Sequence, residues 1–347
     1  MSRPLKAVDF FCSGGGMSYG LAQGGVRVLG GIDINERCKE TYLANLKNAK
    51  FVCKDIFDLR EEDLQTLFSI EKNDDDLIFV GCSPCQYWSI IQTNKEKSAK
   101  SKDLLKEFER FVSFYNPGYV LVENVPGILR RGQESGFNAF VSHLESNGYY
   151  VHYEIVNMND YGIPQARKRL SLVANRVLGK KVFPRKTGNN PTVRDAIEDL
   201  PVIRAGHRDP TNLFHTCAGL SEKNKKRLKR TRKNGGSWIE WADDQELKRE
   251  SYAGTGFLDN YGRMCWDKPS PTITTRFFSI SNGRFGHPTQ TRAISIREGA
   301  RIQSFPDSFV FKVASIMQAA QIIGNAVPPK YAECLALTLM EAESNEA

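Results

Sequence analysis

From Ala7 to Asn124 the chain alternates short apolar runs with stretches of helical spacing, and this alternation narrows the possible folds more than any other feature. Ala7-Val8-Asp9-Phe10-Phe11 reads as a buried strand. Ser13-Gly14-Gly15-Gly16 breaks it, and a helix is expected from Met17 to Gly24. Val26 to Asp33 reads as a second strand, Glu36 to Leu46 as a helix, and Lys50 to Val52 as a third strand ending near Asp55. Leu77-Ile78-Phe79-Val80 is a fourth, Leu104 to Phe114 is helical, and Tyr119-Val120-Leu121-Val122 is a fifth that ends at Glu123-Asn124. Strands alternating with helices predict an α/β fold built on a doubly wound, mostly parallel sheet. After about Val182 the alternation stops. Residues 185 to 290 are rich in Gly, Pro, Asn, Arg and Lys, and predict a second, smaller and more irregular domain. Helical spacing returns at Ile294 to Gln303 and Ile316 to Ile323. The expected domains are 1–185 with 319–347, and 186–318.

In such sheets ligands bind at the carboxyl ends of the strands. Each of the five strand ends here carries special residues: the glycines, Asp33, Asp55, Pro84-Cys85 and Glu123-Asn124. The glycine loop lets a backbone turn sharply and a ligand approach closely. It lacks the G-x-G-x-x-G spacing of a pyrophosphate cradle. Asp33 can accept from two ribose hydroxyls, or stand as an exposed carboxylate. Asp55 can accept from an adenine amino group, or cap the turn before Ile56. Loop and acids together suggest a nucleoside cofactor with no phosphate near the loop, a description that S-adenosylmethionine fits. Cys82-Ser83-Pro84-Cys85 has the spacing of a redox or zinc pair, but no second CxxC or paired His stands at a ligand spacing, and no metal is expected. The other reading makes one cysteine a nucleophile, its thiolate favoured by a following helix N-terminus.

Composition bounds the partners. The chain has 347 residues, 40% hydrophobic and 25% charged, as a globular protein does, with a formal net charge of +8. No apolar run near the N-terminus suggests a signal peptide, and none approaches the ~20 residues of a membrane span. Eight cysteines without a framework read as reduced thiols, so a cytoplasmic protein is expected.

Pro84-Cys85-Gln86, Glu123-Asn124-Val125 and Gln165-Ala166-Arg167-Lys168-Arg169 follow the glycine loop in order. Later come Arg297-Glu298, Arg301 to Asp307, and Gly324-Asn325-Ala326-Val327-Pro328-Pro329. In this order the motifs resemble those of the DNA cytosine-5 methyltransferase family over nearly the whole chain. The resemblance implies methyl transfer from S-adenosylmethionine, released as S-adenosylhomocysteine, to cytosine C5 in a specific sequence of double-stranded DNA. It implies Cys85 as nucleophile, Glu123 as donor at N3, Arg169 at cytosine O2, and Arg167 holding Glu123 or the backbone. Cofactor contacts are implied for Phe11, Ser13, Gly14, Gly15, Gly16, Asp33, Ile34, Asp55, Ile56, Leu104 and Asn325. The C-terminal segment is expected to fold back and complete the first domain. Ser13 stands where the family pattern usually has glycine, and Tyr87-Trp88-Ser89 where one aromatic before serine is usual. A monomer acting on a flipped-out base is expected, with a cognate restriction endonuclease encoded separately.

Between Lys223 and Lys233 stand eight basic residues, among them Lys225, Lys226, Lys229 and Arg230. Such a run is either a solvated helix face or a phosphate contact. Arg276 and Arg284 are candidates for reading bases or phosphates, or ordinary turn residues. Trp238, Trp241 and Tyr261 are expected to anchor the packing of this region. Rival readings are a transfer-RNA cytosine-C5 methyltransferase of the same fold, a catalytically dead DNA-binding homologue, and a nicotinamide dehydrogenase. The catalytic motifs speak against the second and the missing dinucleotide fingerprint against the third.

Overall fold

The computed structural model describes residues 4–84, 103–130, 135–247 and 259–344. Cys85 and residues 86–102 lie outside the described residues. The chain divides into two compact units, one of 1–161, 168–187 and 326–347, the other of 162–167 and 188–325. Residues 162–167 and 319–325, which the sequence reading assigns to the first domain, therefore count with the second unit.

The first unit is built on seven strands: β1 (Lys6–Phe10), β2 (Arg27–Asp33), β3 (Lys50–Cys53), β4 (Leu77–Gly81), β5 (Tyr119–Asn124), β6 (Tyr150–Asn157) and β8 (Lys168–Asn175). Their order is β3-β2-β1-β4-β5-β8-β6. The pairs from β3 through β5 are parallel, whereas β8 runs antiparallel to both β5 and β6. The sequence reading assigns no strand after β5. β6 hides from it because an edge strand need not alternate, and Tyr153, Glu154 and Ile155 are all exposed. The chain leaves β1 toward β2 on one side and returns to β4 on the other. The β1 and β4 ends therefore meet at the switch point, where such sheets bind ligands.

Phe10, on one face of β1, packs its ring 5.2 Å from those of Phe79, Phe108 and Phe111. The last two come from the helix Leu104–Tyr115, whose Leu105, Phe108, Phe111, Val112 and Tyr115 form one buried stripe at helical spacing. On the opposite face the helix Gly16–Gln23 lies against the C-terminal helix Pro329–Ser344. A Cβ at Gly20 would come 2.1 Å from the Pro329 carbonyl oxygen, and one at Gly24 would come 2.4 Å from the Ala336 methyl. Two glycines one turn apart thus let the helix backbones approach closely. The C-terminal segment is in this way part of the first unit.

The second unit is irregular. It holds the short parallel pair β7 (Gln165–Ala166) and β9 (Ser270–Pro271), and the helices Val193–Ile197, Glu222–Arg230, Ile296–Ile302 and Ile316–Asn325. Buried arginines do much of the work of its small apolar cluster of Leu228, Ile280 and Ala293. Arg263 donates to the carbonyls of Leu228, Thr231, His287 and Gln290, tying the C-terminal end of the helix Glu222–Arg230 to a distant loop. Trp241 is buried and lies 5.8 Å from Tyr261 and 6.5 Å from Trp238, so the expected anchors do pack together.

Candidate active site

The expected first strand includes Phe11, but the strand ends at Phe10. Phe11 and Ser13 adopt φ of 64° and 47°, in the left-handed region. For residues other than glycine this costs about 1–3 kcal/mol each and persists only where the surroundings impose it. Here the loop is pinned at three points. The Cys12 N–H donates to the Ile32 carbonyl, Ser13 N–H to Asp33 Oδ2 at 2.8 Å, and Gly15 N–H to the Cys12 carbonyl. Ser13 is thus held in a backbone conformation that favours glycine. Gly15 has φ of 90°, and a Cβ on it would lie 2.9 Å from the Tyr42 ring.

The helix expected from Glu36 to Leu46 begins as a 3-10 turn, Glu36–Cys38, because the Asn35 side chain caps it by accepting from Arg37 N–H. Asp33 Oδ1 accepts from Asn35 N–H at 2.8 Å, so each of its oxygens holds one amide and keeps a lone pair. Burial raises its carboxyl above the usual range, and the two amides oppose the rise. Ile34 is 67% exposed, as a side chain covering a ligand would be. Lys54 N–H bonds the Asp33 carbonyl and the Cys53 thiol that of Ile34, which joins the β2 and β3 ends. Asp55 caps the turn Ile56–Asp58 through Phe57 N–H at 3.2 Å, so the capping reading holds for one of its oxygens. Arg110 donates to the carbonyls of Ile56 and Leu59 at 2.6 Å, tying that turn to the helix that Leu104 begins. Phe11, the loop, Asp33, Ile34, Asp55, Ile56 and Leu104 all belong to the first unit. Asn325 is exposed and ends a helix of the second.

Beside the switch point, Asn124 donates its amide to the Ser83 hydroxyl at 3.1 Å and the Ser83 carbonyl at 3.3 Å. That pair holds the end of β5 against the segment that leads through Pro84 toward Cys85. Glu123, 8% exposed, lies opposite Ser171 in the antiparallel register, so Arg169 is its diagonal neighbour on the same face. The Arg169 Nε lies 3.1 Å from Glu123 Oε1, close enough for an ion pair. Burial and the nearby Glu123 carboxylate push the Cys82 thiol well up, so of the two CxxC cysteines Cys82 is unsuited to be a thiolate. Arg167 is buried and donates to the Ile273 and Gly324 carbonyls, the backbone role among those considered for it.

The basic run is helical from Lys223 to Arg230, within a helix Glu222–Arg230 capped by Ser221, and Arg232 and Lys233 lie beyond it. Its residues divide. Arg227 is buried, donates to the Leu247 carbonyl and lies 4.9 Å from the Tyr261 ring. Lys226, Lys229 and Arg230 are exposed and Lys225 half-buried. Lys225 pairs with Glu222 at 2.6 Å and Lys226 with Glu246 at 3.1 Å. Arg276 is exposed. Arg284 is occupied within its own unit by Asp259 and by the carbonyls of Gly235 and Gly236.

The sequence reading passed over Asp9. It is 1% exposed, lies two residues before the loop, and receives a 2.6 Å hydrogen bond from Ser18. A charged residue inside the apolar run from Ala7 to Phe11 is the signal that could have found it.

The sequence pattern of C-5 cytosine-specific DNA methylases matches residues 5–341. The chain belongs to this family. Among curated relatives, the type II methylase M.HgiDII of Herpetosiphon aurantiacus is 37% identical over 329 residues, covering 92% of this chain and 91% of its own. Type II methyltransferase M1.BsuMI of Bacillus subtilis is 31% identical, covering 96% of this methylase and 80% of its own chain. The fold matches a DNA modification methyltransferase encoded within an E. coli prophage, with a TM-score of 0.77 at 24% identity over 98% of this chain and 99% of that one. It also matches Entamoeba histolytica methyltransferase EhMeth, with a TM-score of 0.66 at 16% identity over 99% of both chains. Among the methylase's described residues, no helix is long and apolar enough to cross a membrane.

Proposed function

We propose that this methylase transfers the methyl group of S-adenosylmethionine to C5 of a cytosine flipped out of a specific double-stranded DNA sequence, and acts as a monomer in the cytoplasm to protect host DNA from a separately encoded restriction endonuclease. The observation that carries the reading is the Glu123–Arg169 pair, next to Asn124, which bonds Ser83 two residues before Cys85. The restriction-modification setting rests on the type II relatives.

The residues fit an adenosyl cofactor. A Cβ at Gly15 would press on the Tyr42 ring, so glycine lets the loop keep its sharp turn, and Asp33 is positioned by two backbone amides with lone pairs left for a ribose. Asp55 keeps an oxygen for an adenine amino group, and Ile34, Ile56 and Leu104 supply apolar cover. When bound, S-adenosylmethionine supplies an electrophilic methyl on a sulfonium and departs as S-adenosylhomocysteine.

The chain's own part is to make C5 nucleophilic. The Cys85 thiolate adds to C6, and the electron pair displaced from the ring reaches N3, where Glu123 delivers a proton. Arg169 donates to cytosine O2 and fixes the ring. Arg167 holds the backbone that carries Ile273. Once C5 has taken the methyl group, N3 returns its proton to Glu123, H5 leaves to a base, the C6–sulfur bond breaks, and the thiolate returns. In the second unit Lys225, Lys226, Lys229 and Arg230 meet phosphates and Arg276 faces bases, while Arg284 braces the loop that contains Gly235.

Methyl transfer from labelled S-adenosylmethionine to duplex DNA and to transfer RNA tests the reading. Duplex DNA should be labelled, and 5-fluorocytosine at the target should trap the enzyme through Cys85, since fluorine cannot leave as H5 does. Labelling of transfer RNA alone would move the assignment to an RNA methyltransferase. Trapping on another cysteine would overturn the role of Cys85.

A further inference from the structure

Directly beneath the glycine loop lies a buried carboxyl that the reaction above does not use. Asp9 sits on the face of β1 opposite Phe10. The Ser18 hydroxyl donates to its Oδ2 at 2.6 Å and lies 3.1 Å from the Tyr42 hydroxyl. Tyr42 in turn fills the space that a Cβ on Gly15 would enter. A relay of three side chains from three elements thus supports the turn of the loop from below. The other oxygen, Oδ1, is buried and finds no hydrogen-bond partner among the described residues. Around the carboxyl stand Asp33 from β2, Cys12 from the loop, Tyr42 from the helix Lys39–Asn45, and Cys82 after β4. None of these four groups is a cation, and Asp33 is a second carboxyl.

We propose that Asp9 is a positioning and specificity-determining residue that favours the cationic methyl donor over its neutral-sulfur product, by presenting a buried negative charge beneath the loop. The inference rests on the cofactor reading above. A carboxylate with one unsatisfied oxygen and an anionic neighbour lacks a counter-charge. A sulfonium seated on the loop supplies one across a medium that screens poorly, whereas the thioether left after transfer does not. Donor and product differ at this one formal charge, so a site with a buried anion can hold the first and release the second.

Burial, reinforced by Asp33, raises the Asp9 carboxyl to about 7. The free protein at pH 6 therefore carries Asp9 mostly protonated, and binding a cation must expel that proton. The sign follows: donor affinity rises with pH through this window, and product affinity stays nearly level.

Calorimetry on the full chain, in buffers of differing ionisation enthalpy at pH 6.5, counts the protons that leave on binding. S-adenosylmethionine should release a substantial fraction of one proton and S-adenosylhomocysteine far less. From pH 5.5 to 7.5 the donor's dissociation constant should fall roughly five- to tenfold, against less than twofold for the product. Asp9→Asn should remove the donor's excess pH dependence and narrow the donor-to-product preference, whereas Tyr42→Phe, which keeps the carboxyl, should retain the dependence. Donor binding without proton release in the wild type overturns the proposal, and that measurement needs no variant. An Asp9→Asn protein that keeps the wild-type pH profile also overturns it. Failure of both ligands to bind at any pH overturns instead the cofactor reading beneath it.

Discussion

Glu123 and Glu298 are both buried glutamates beside an arginine, and their surroundings set them to different work. Glu123 meets Arg169 through one oxygen, at the end of a strand whose Asn124 bonds Ser83. Glu298 is fully engaged. Arg292 Nη1 and Nη2 each donate to it at 2.6 Å, and Ser295 N–H does the same while the Ser295 hydroxyl caps the helix Ile296–Ile302. Glu123→Gln should therefore slow single-turnover methylation by ~10²–10⁴-fold, the usual contribution of a general acid, with DNA binding little changed. A rate within a few fold of wild type would remove Glu123 from its role. Glu298→Gln should instead lower stability by about 3–5 kcal/mol, because it leaves the Arg292 charge buried and unpaired. Burial opposes ionisation of Glu298, but Arg292 and the amide more than offset this and lower its carboxyl below the usual value. Its contribution is present above the ordinary glutamate range and is lost as pH falls through the lowered value. Denaturant melts between pH 7 and pH 3 should thus show a steeper acid loss in the wild type than in Glu298→Gln. Parallel curves would show that the pair carries no pH linkage.

At the scale of an element, the helix Glu222–Arg230 shows why a run of charge has no single meaning. Arg227 is buried and works in packing, whereas the lysines face solvent in pairs such as Lys226–Glu246. Exposed pairs of this kind are worth about 0–1 kcal/mol, so a phosphate can displace the carboxylates at little cost. Replacing Lys225, Lys226 and Lys229 with Ala should weaken binding to all duplexes alike, and should reduce the slope of log affinity against log salt by ~0.9 per lost contact. An unchanged slope would mean that the lysines only solvate the helix.

At the scale of the molecule, the sequence leads one to expect target recognition in the segment from about Arg204 to Pro288, yet the second unit is held by contacts that run well beyond it. Gln165 is tied to Ile273 and Gln303, β7 pairs with β9, and Arg263 reaches the Gln290 carbonyl. If this unit reads the target, replacing 188–325 together with 162–167 by the matching residues of a relative of different specificity should move the methylated site. Replacing 204–288 alone should move it as well but lower the melting temperature, because the Arg263 and Gln165 contacts would then join segments of different origin. Bisulfite sequencing and thermal melts read the two effects. An unmoved site in an active chimaera would place recognition elsewhere, and equal melting of both chimaeras would refute the unit boundaries as the better junctions.

The five parallel strands and the residues at their ends were legible in the chain itself, because each depends on a local pattern: an apolar run of strand length, then glycine, acid or proline where the run stops. The order of the motifs was enough to suggest the chemistry. Other features depend on residues far apart in sequence, and only the tertiary structure decided them. Arg169 lies beside Glu123 because β8 runs antiparallel to β5 in a register that sets Ser171 opposite Glu123, and no spacing along the chain encodes that pairing. Gly20 and Gly24 look like weak helix positions until the helix Pro329–Ser344 packs against them. Arg227, Arg263 and Arg292 are indistinguishable in sequence from arginines that meet DNA. Burial turned them inward, since a guanidinium surrounded by carbonyls and carboxylates can be taken out of water and one without partners cannot.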